Sequence, residues 1–146
     1  MHDDAIIEKA LHILKGRMVT SDVIITSPTS TKDYLTLYLA EKKVELFMVM
    51  FLTAQHHLIE AEVLFVGTID NCTVYPREII KKALEYNAAA VIFAHNHPSG
   101  VPTPSTADRQ LTDRLVTALG TVDIRVLDHF VIGGDSIKSF AELGYL

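Results

Sequence analysis

The run "AAAVIFA", residues 88–94, limits the fold more than any other part of the chain. It is short, apolar throughout and free of polar–apolar alternation. A strand with one wet face alternates, whereas an unbroken apolar run of this length suits a strand covered on both faces. Covering both faces takes helices, and the flanking sequence supplies them. Residues 4–15 carry Ile6, Ile7, Ala10, Leu11, Ile13 and Leu14 at helical spacing. After a connector with turn residues around Pro28, Ser30 caps a second helix to about residue 43, with Tyr34, Leu35, Tyr38 and Leu39 on its apolar side. "YPREIIKKALEYN" (75–87) reads as a helix with Pro76 in its first turn and Asn87 near its end. "STADRQLTDRLVTALG" (105–120) reads as another, with Leu111, Leu115, Val116 and Leu119 inward and Gly120 as its stop.

The remaining apolar segments read as strands. "VELFMVMFL" (44–52) and "LIEAEVLFVG" (58–67), separated only by "TAQHH", form an antiparallel hairpin. "IRVLDHFVIGG" (124–134) runs into a glycine turn, and "SIKSFAELGYL" gives a last strand and a short terminal helix. The expected architecture is α/β, a mixed β-sheet flanked by helices.

Composition excludes several classes. A chain of 146 residues, 49% apolar and 21% charged, is an ordinary globular domain that folds without staples. The single cysteine, Cys72, forbids an internal disulfide and fits a reducing compartment. No apolar run reaches the eighteen or so residues that span a bilayer. The opening "MHDDAIIEKA" is acidic where a signal peptide is basic, so the expected location is cytoplasmic, with no membrane partner. A net charge of −5 lacks the basic stripe of a non-specific nucleic-acid binder; Arg77, Lys81 and Lys82 share one helical segment and read as a solvated face. Met18, Met48 and Met50 read as core filler, and Cys72 has no motif partner.

Chemistry concentrates in "AHNHPSGVPTPSTAD", residues 94–108. His95 and His97 stand at i and i+2 at the end of an extended segment, so both imidazoles point to one face. Asp108 falls in the first turn of the helix that begins at Ser105, and Pro98, Gly100, Pro102 and Pro104 stiffen and turn the loop between. Two histidines and a carboxylate are zinc ligands of the catalytic kind, which leave a fourth position open. The same residues also read as loop ties and helix-start residues. His129 reads as a hydrogen-bonded core histidine, and His56 and His57 as exposed turn residues.

The spacing His97-x7-Ser105-x2-Asp108, preceded by His95, resembles the signature of JAMM/MPN-type metalloproteases. More narrowly, "GTIDNCTVYPREIIKKALEYNAAAVIFAHNHPSG", "PSTADRQLT" and "LDHFVIGG" resemble the RadC family from about Asp33 to the C-terminus. The resemblance implies a JAMM/MPN, cytidine deaminase-like fold over residues 31–146, with 1–30 an N-terminal helix and connector too short for the helix-hairpin-helix region of longer relatives. It also implies one zinc held by His95, His97 and Asp108, with Glu45 in "VELFMVMFL" as general base and Ser105 as oxyanion donor. Glu41, Glu60 and Glu62 are nearby acids without such a match. The function so implied is hydrolysis of a protein or peptide amide, as a metallopeptidase or isopeptidase, by a zinc-activated water. The family's association with DNA repair leaves a second expectation: a nucleic-acid-binding protein with a structural or vestigial metal site. Substrate and oligomeric state are not legible.

Overall fold

The computed structural model describes residues 2–20, 28–67 and 74–146, the side chains of 18–20 and 28 excepted. Cys72 and the side chain of Met18 lie outside the described residues. The elements run α1 (His2–Thr20), α2 (Pro28–Leu39), β1 (Leu46–Leu52), β2 (Leu58–Val66), α3 (Pro76–Glu85), β3 (Ala90–Asn96), α4 (Thr106–Gly120), β4 (Arg125–Gly133) and β5 (Ser136–Ser139). The strands form one sheet in the order β2-β1-β3-β4-β5. β1 is antiparallel to β2 and to β3, β3 is parallel to β4 through α4, and β4 turns back into β5. The sheet is mixed and the fold is α/β.

β3 is buried at every position, as its unbroken apolar run requires. The period-2 pleat sends alternate side chains to opposite faces. Ala90, Ile92 and Ala94 join Met48, Met50 and Leu52 of β1 against Tyr34, Leu35 and Leu39 of α2. Val91 and Phe93 join Phe47, Val49 and Phe51 against Ile79 and Ala83 of α3 and Leu111, Leu115 and Leu119 of α4. Met48 and Met50 are therefore core residues. α1 is held more loosely: Leu11 and Leu14 touch the first core and Lys15 pairs with Glu60 of β2, while Ile6 and Ile13 face outward.

Three details depart from the sequence reading. α2 starts at Pro28, so Ser30 lies inside its first turn; proline's fixed φ suits the first helical position. Val116 is exposed on α4, because Leu111, Leu115 and Leu119 already fill the stripe that meets the sheet. The terminal segment after β5 makes turns instead of a helix. Asp128 captures it, accepting from Ser139 Oγ at 2.6 Å and from the Ala141 N–H at 3.0 Å, and Gly144 closes it at φ +79°.

Phe93→Ala should cost about 3–5 kcal/mol of unfolding free energy, the range for emptying a large aromatic site in a closed core. Ile6→Ala, on the outer side of α1, should stay within about 0.5 kcal/mol. Urea denaturation of both variants checks the pair, and equal losses would contradict the two-core description.

Candidate metal centre

Strand parity assembles the site. His95 follows Val91 and Phe93 on the α3/α4 face of the sheet, and His97 continues that alternation just past the end of β3. Antiparallel pairing sets Phe47 opposite His95, so Glu45, two residues earlier, comes opposite His97. α4 starts on the same face. Ser105 is its N-cap, with Oγ accepting from the Asp108 N–H at 3.0 Å while Asp108 Oδ2 accepts from the Ser105 N–H at 2.8 Å. This reciprocal capping box aims the Asp108 carboxylate back at the strand end.

The donor atoms converge. His95 Nε2 lies 3.1 Å from His97 Nε2 and 3.2 Å from Asp108 Oδ1. His97 Nε2 lies 3.0 Å from Asp108 Oδ2 and 3.8 Å from Glu45 Oε1. One donor atom each from Glu45, His95 and His97 falls within a mutual separation of 4.8 Å. Two ligands about 2.0–2.1 Å from a tetrahedral zinc stand roughly 3.3 Å apart, so the spacing of the histidine and aspartate donors fits such an ion. His97 Nδ1 sits 2.8 Å from the Val101 carbonyl oxygen, which only accepts; that nitrogen donates, and in the neutral ring Nε2 presents a lone pair to the cluster.

Lone pairs and carboxylate oxygens facing one another call for a cation between them, whether a proton or a metal ion. The electrostatics agree. The hydrogen bond to Asp108 raises the His97 pKa against its partial burial, helped by Val101 and by the charges of Asp108 and Glu45. Burial alone would raise the Asp108 carboxyl, but hydrogen bonds from His95 and His97, the charge of His95 and the Ser105 N–H hold it well below the usual carboxylate range. His97 is 17% exposed at the side chain, against 0% for His95 and 2% for Asp108, so the cluster opens past His97 and Glu45.

Supporting contacts fix these pieces. Asn96, between the two histidines, points to the other side and clamps the start of β1. Its Oδ1 accepts from the Leu46 N–H at 2.7 Å, and its Nδ2 donates to the carbonyls of Val44 (3.0 Å) and Lys42 (3.4 Å). Gly133 lies under the loop so closely that a Cβ there would fall 2.5 Å from Pro102 N and 2.6 Å from Val101 C. His129 is fully buried, with Nε2 2.7 Å from His95 Nδ1 and Nδ1 2.6 Å from Thr112 Oγ1. Burial first, then the charge of His95, lowers its pKa well below the ordinary imidazole value against the pull of Asp108.

The sequence brought out Glu45, His95, His97, Ser105 and Asp108, and the structure gathers all five at one end of the sheet. His129 was legible as a core histidine but not as a neighbour of His95, because only the β3–β4 register, with Phe93 beside His129, relates them. Thr112 and Gly133 carried no local signal beyond a helix and a turn. The parity of β3, extended to Asn96, was available and separates that residue from its histidine neighbours. Glu41 is exposed after α2, Glu60 is taken by Lys15, and Glu62 lies 3.8 Å from Lys82 of α3. His56 and His57 occupy the turn at the opposite end of β1, half-buried instead of exposed. Among the described residues no helix is long and apolar enough to cross a membrane.

Comparison with known proteins identifies related chains. A family model described as a RadC-like JAB domain matches residues 25–145. A UPF0758 protein of Vibrio cholerae serotype O1 (strain M66-2) is 53% identical over 142 residues, covering 97% of this chain and 63% of its own length. UPF0758 proteins of Aliivibrio salmonicida (strain LFI1238) and Thiobacillus denitrificans (strain ATCC 25259 / T1) are 52% and 54% identical over the same coverage. The chain thus spans about 63% of the length of these curated relatives.

Gly133→Ala should push the loop at 100–102 off the sheet and draw the Val101 carbonyl away from His97. The expected loss is about 1–3 kcal/mol in denaturant unfolding, as for overpacking elsewhere. Gly120→Ala, where a Cβ meets open space, is the matched control and should not lose stability.

Proposed function

The chain belongs to the RadC family of JAB domains, and from that premise we propose that it is a zinc-dependent hydrolase, a metallopeptidase or isopeptidase that cleaves an amide in a protein or peptide. The observation that carries this reading is the convergence of His95 Nε2, His97 Nε2 and the Asp108 carboxylate at 3.0–3.2 Å, with the Glu45 carboxylate beside them. His95, His97 and Asp108 would hold the metal. A zinc ion held there would supply Lewis acidity toward an amide carbonyl and a water.

The chain's own groups do the rest. Glu45, buried at the entrance to β1, takes the proton of the attacking water and returns it to the leaving amine nitrogen. Ser105 Oγ accepts from the Asp108 N–H, so its hydroxyl hydrogen remains to be donated, and the developing oxyanion is its partner. Substrate enters past His97 and Glu45, the more accessible side of the cluster. The hydrolase domain comprises residues 31–146, with 1–30 as an extension, and its single cysteine suits the reducing cytoplasm.

Elemental analysis after zinc-replete purification should give one zinc per chain, and His95→Ala/His97→Ala should abolish it. Glu45→Gln should keep the zinc yet lose hydrolysis of a quenched peptide and isopeptide panel by about 100-fold or more. A folded wild-type protein without stoichiometric metal would sink the proposal. Full activity in Glu45→Gln would remove that residue from the chemistry. Salt-dependent DNA binding by a zinc-loaded but hydrolytically inert chain would favour the nucleic-acid alternative.

A further inference from the structure

We propose that His129 and Thr112 are positioning residues that decide which nitrogen of His95 carries its proton, and so keep His95 Nε2 available to the metal. This inference rests on the metal-centre reading above and extends it to two residues that act only through the ligands His95 and Asp108.

Aromatic rings enclose His129. Phe140 stacks on its ring at 4.6 Å between centroids and 19° between planes, and Phe47 and Phe93 meet it edge-on at 5.6 and 5.8 Å. These faces offer no strong hydrogen-bonding groups, so both ring nitrogens must be satisfied in the ring plane. They are: Nδ1 faces Thr112 Oγ1 at 2.6 Å and Nε2 faces His95 Nδ1 at 2.7 Å. All three residues are 0% exposed, which leaves no water to take either role.

Direction comes from the far end of the chain of contacts. The Thr112 hydroxyl lies 2.9 Å from the main-chain carbonyl of Asp108, one helical turn earlier in α4. A carbonyl only accepts, so the hydroxyl donates its one hydrogen there. Thr112 Oγ1 must then accept from His129, which places the His129 proton on Nδ1. His129 Nε2 is left with a lone pair and accepts from His95 Nδ1–H. His95 Nε2 in turn carries a lone pair, and it is the nitrogen that faces His97 and the Asp108 carboxylate. The circuit begins at the Asp108 carbonyl and returns to the Asp108 side chain. One residue both serves as a ligand and sets the tautomer of another.

Thr112→Val removes the hydroxyl at nearly constant volume. His129 Nδ1–H then has no acceptor, so its proton moves to Nε2, donates to His95 Nδ1 and drives the His95 proton onto the metal-facing nitrogen. Zinc affinity, measured by chelator competition, should fall about 10- to 100-fold in Thr112→Val and stay within about two-fold of wild type in Thr112→Ser, which keeps the hydroxyl. Side-chain 1H–15N NMR of the zinc-loaded wild type should find the His129 proton on Nδ1, a readout that a merely structural threonine would not dictate and that needs no variant to fold. A folded valine variant with wild-type zinc affinity, or a His129 proton on Nε2, overturns the positioning role alone. A wild-type chain that takes up no zinc overturns the metal reading, and this inference with it.

Discussion

β3 lies in the middle of the sheet with both faces covered, and the division of its side chains between those faces organises everything else. Ile92 and Ala94 are claimed by α2, Val91 and Phe93 by α3 and α4. A one-residue slip would exchange the two sets and bury Asn96 where His95 now stands. With that register held by close packing on both sides, the histidines have no freedom to face elsewhere. Neighbouring strands inherit the same parity: antiparallel β1 brings Glu45 to the histidine side, and parallel β4 brings His129 beneath it.

Asp108 joins local and tertiary demands in one side chain. A carboxylate at the third position of a helix is favoured by the helix dipole and by the capping box, whatever the fold does elsewhere. Here the same carboxylate is almost wholly buried, a costly location for a negative charge without partners. The Ser105 N–H and the two histidines are those partners. The helix start and the donor cluster therefore share one side chain, and a change to either residue of the capping box acts on both.

The parts of this arrangement that were legible in the sequence are those encoded locally. Apolar runs marked the strands, Pro76 and Ser105 the starts of α3 and α4, and the spacing from His95 to Asp108 the candidate ligands. Relations across the sheet were not legible. Nothing near His129 in the chain announces that its ring meets His95, because that contact is created by strand register. Gly133 read as half of a glycine turn; its close approach to Val101 and Pro102 exists only once the loop has folded over β4. The terminal helix failed for a related reason: Asp128, on a different strand, takes the Ser139 hydroxyl and the Ala141 N–H and holds the segment in turns.

The Asn96 clamp has a mechanical consequence. It ties the backbone at 42–46 to the residue between the two histidines with three hydrogen bonds, so the segment bearing Glu45 and the strand bearing the imidazoles form one stiff unit. The clamp runs from the flanks of Glu45 to the residue between the two histidines. A bulky partner is then accommodated by the proline-rich loop or from outside the sheet, and the loop's hold on His97 through the Val101 carbonyl is the link that such a change would strain. Precision is built into the frame, and adaptability is left to the rim.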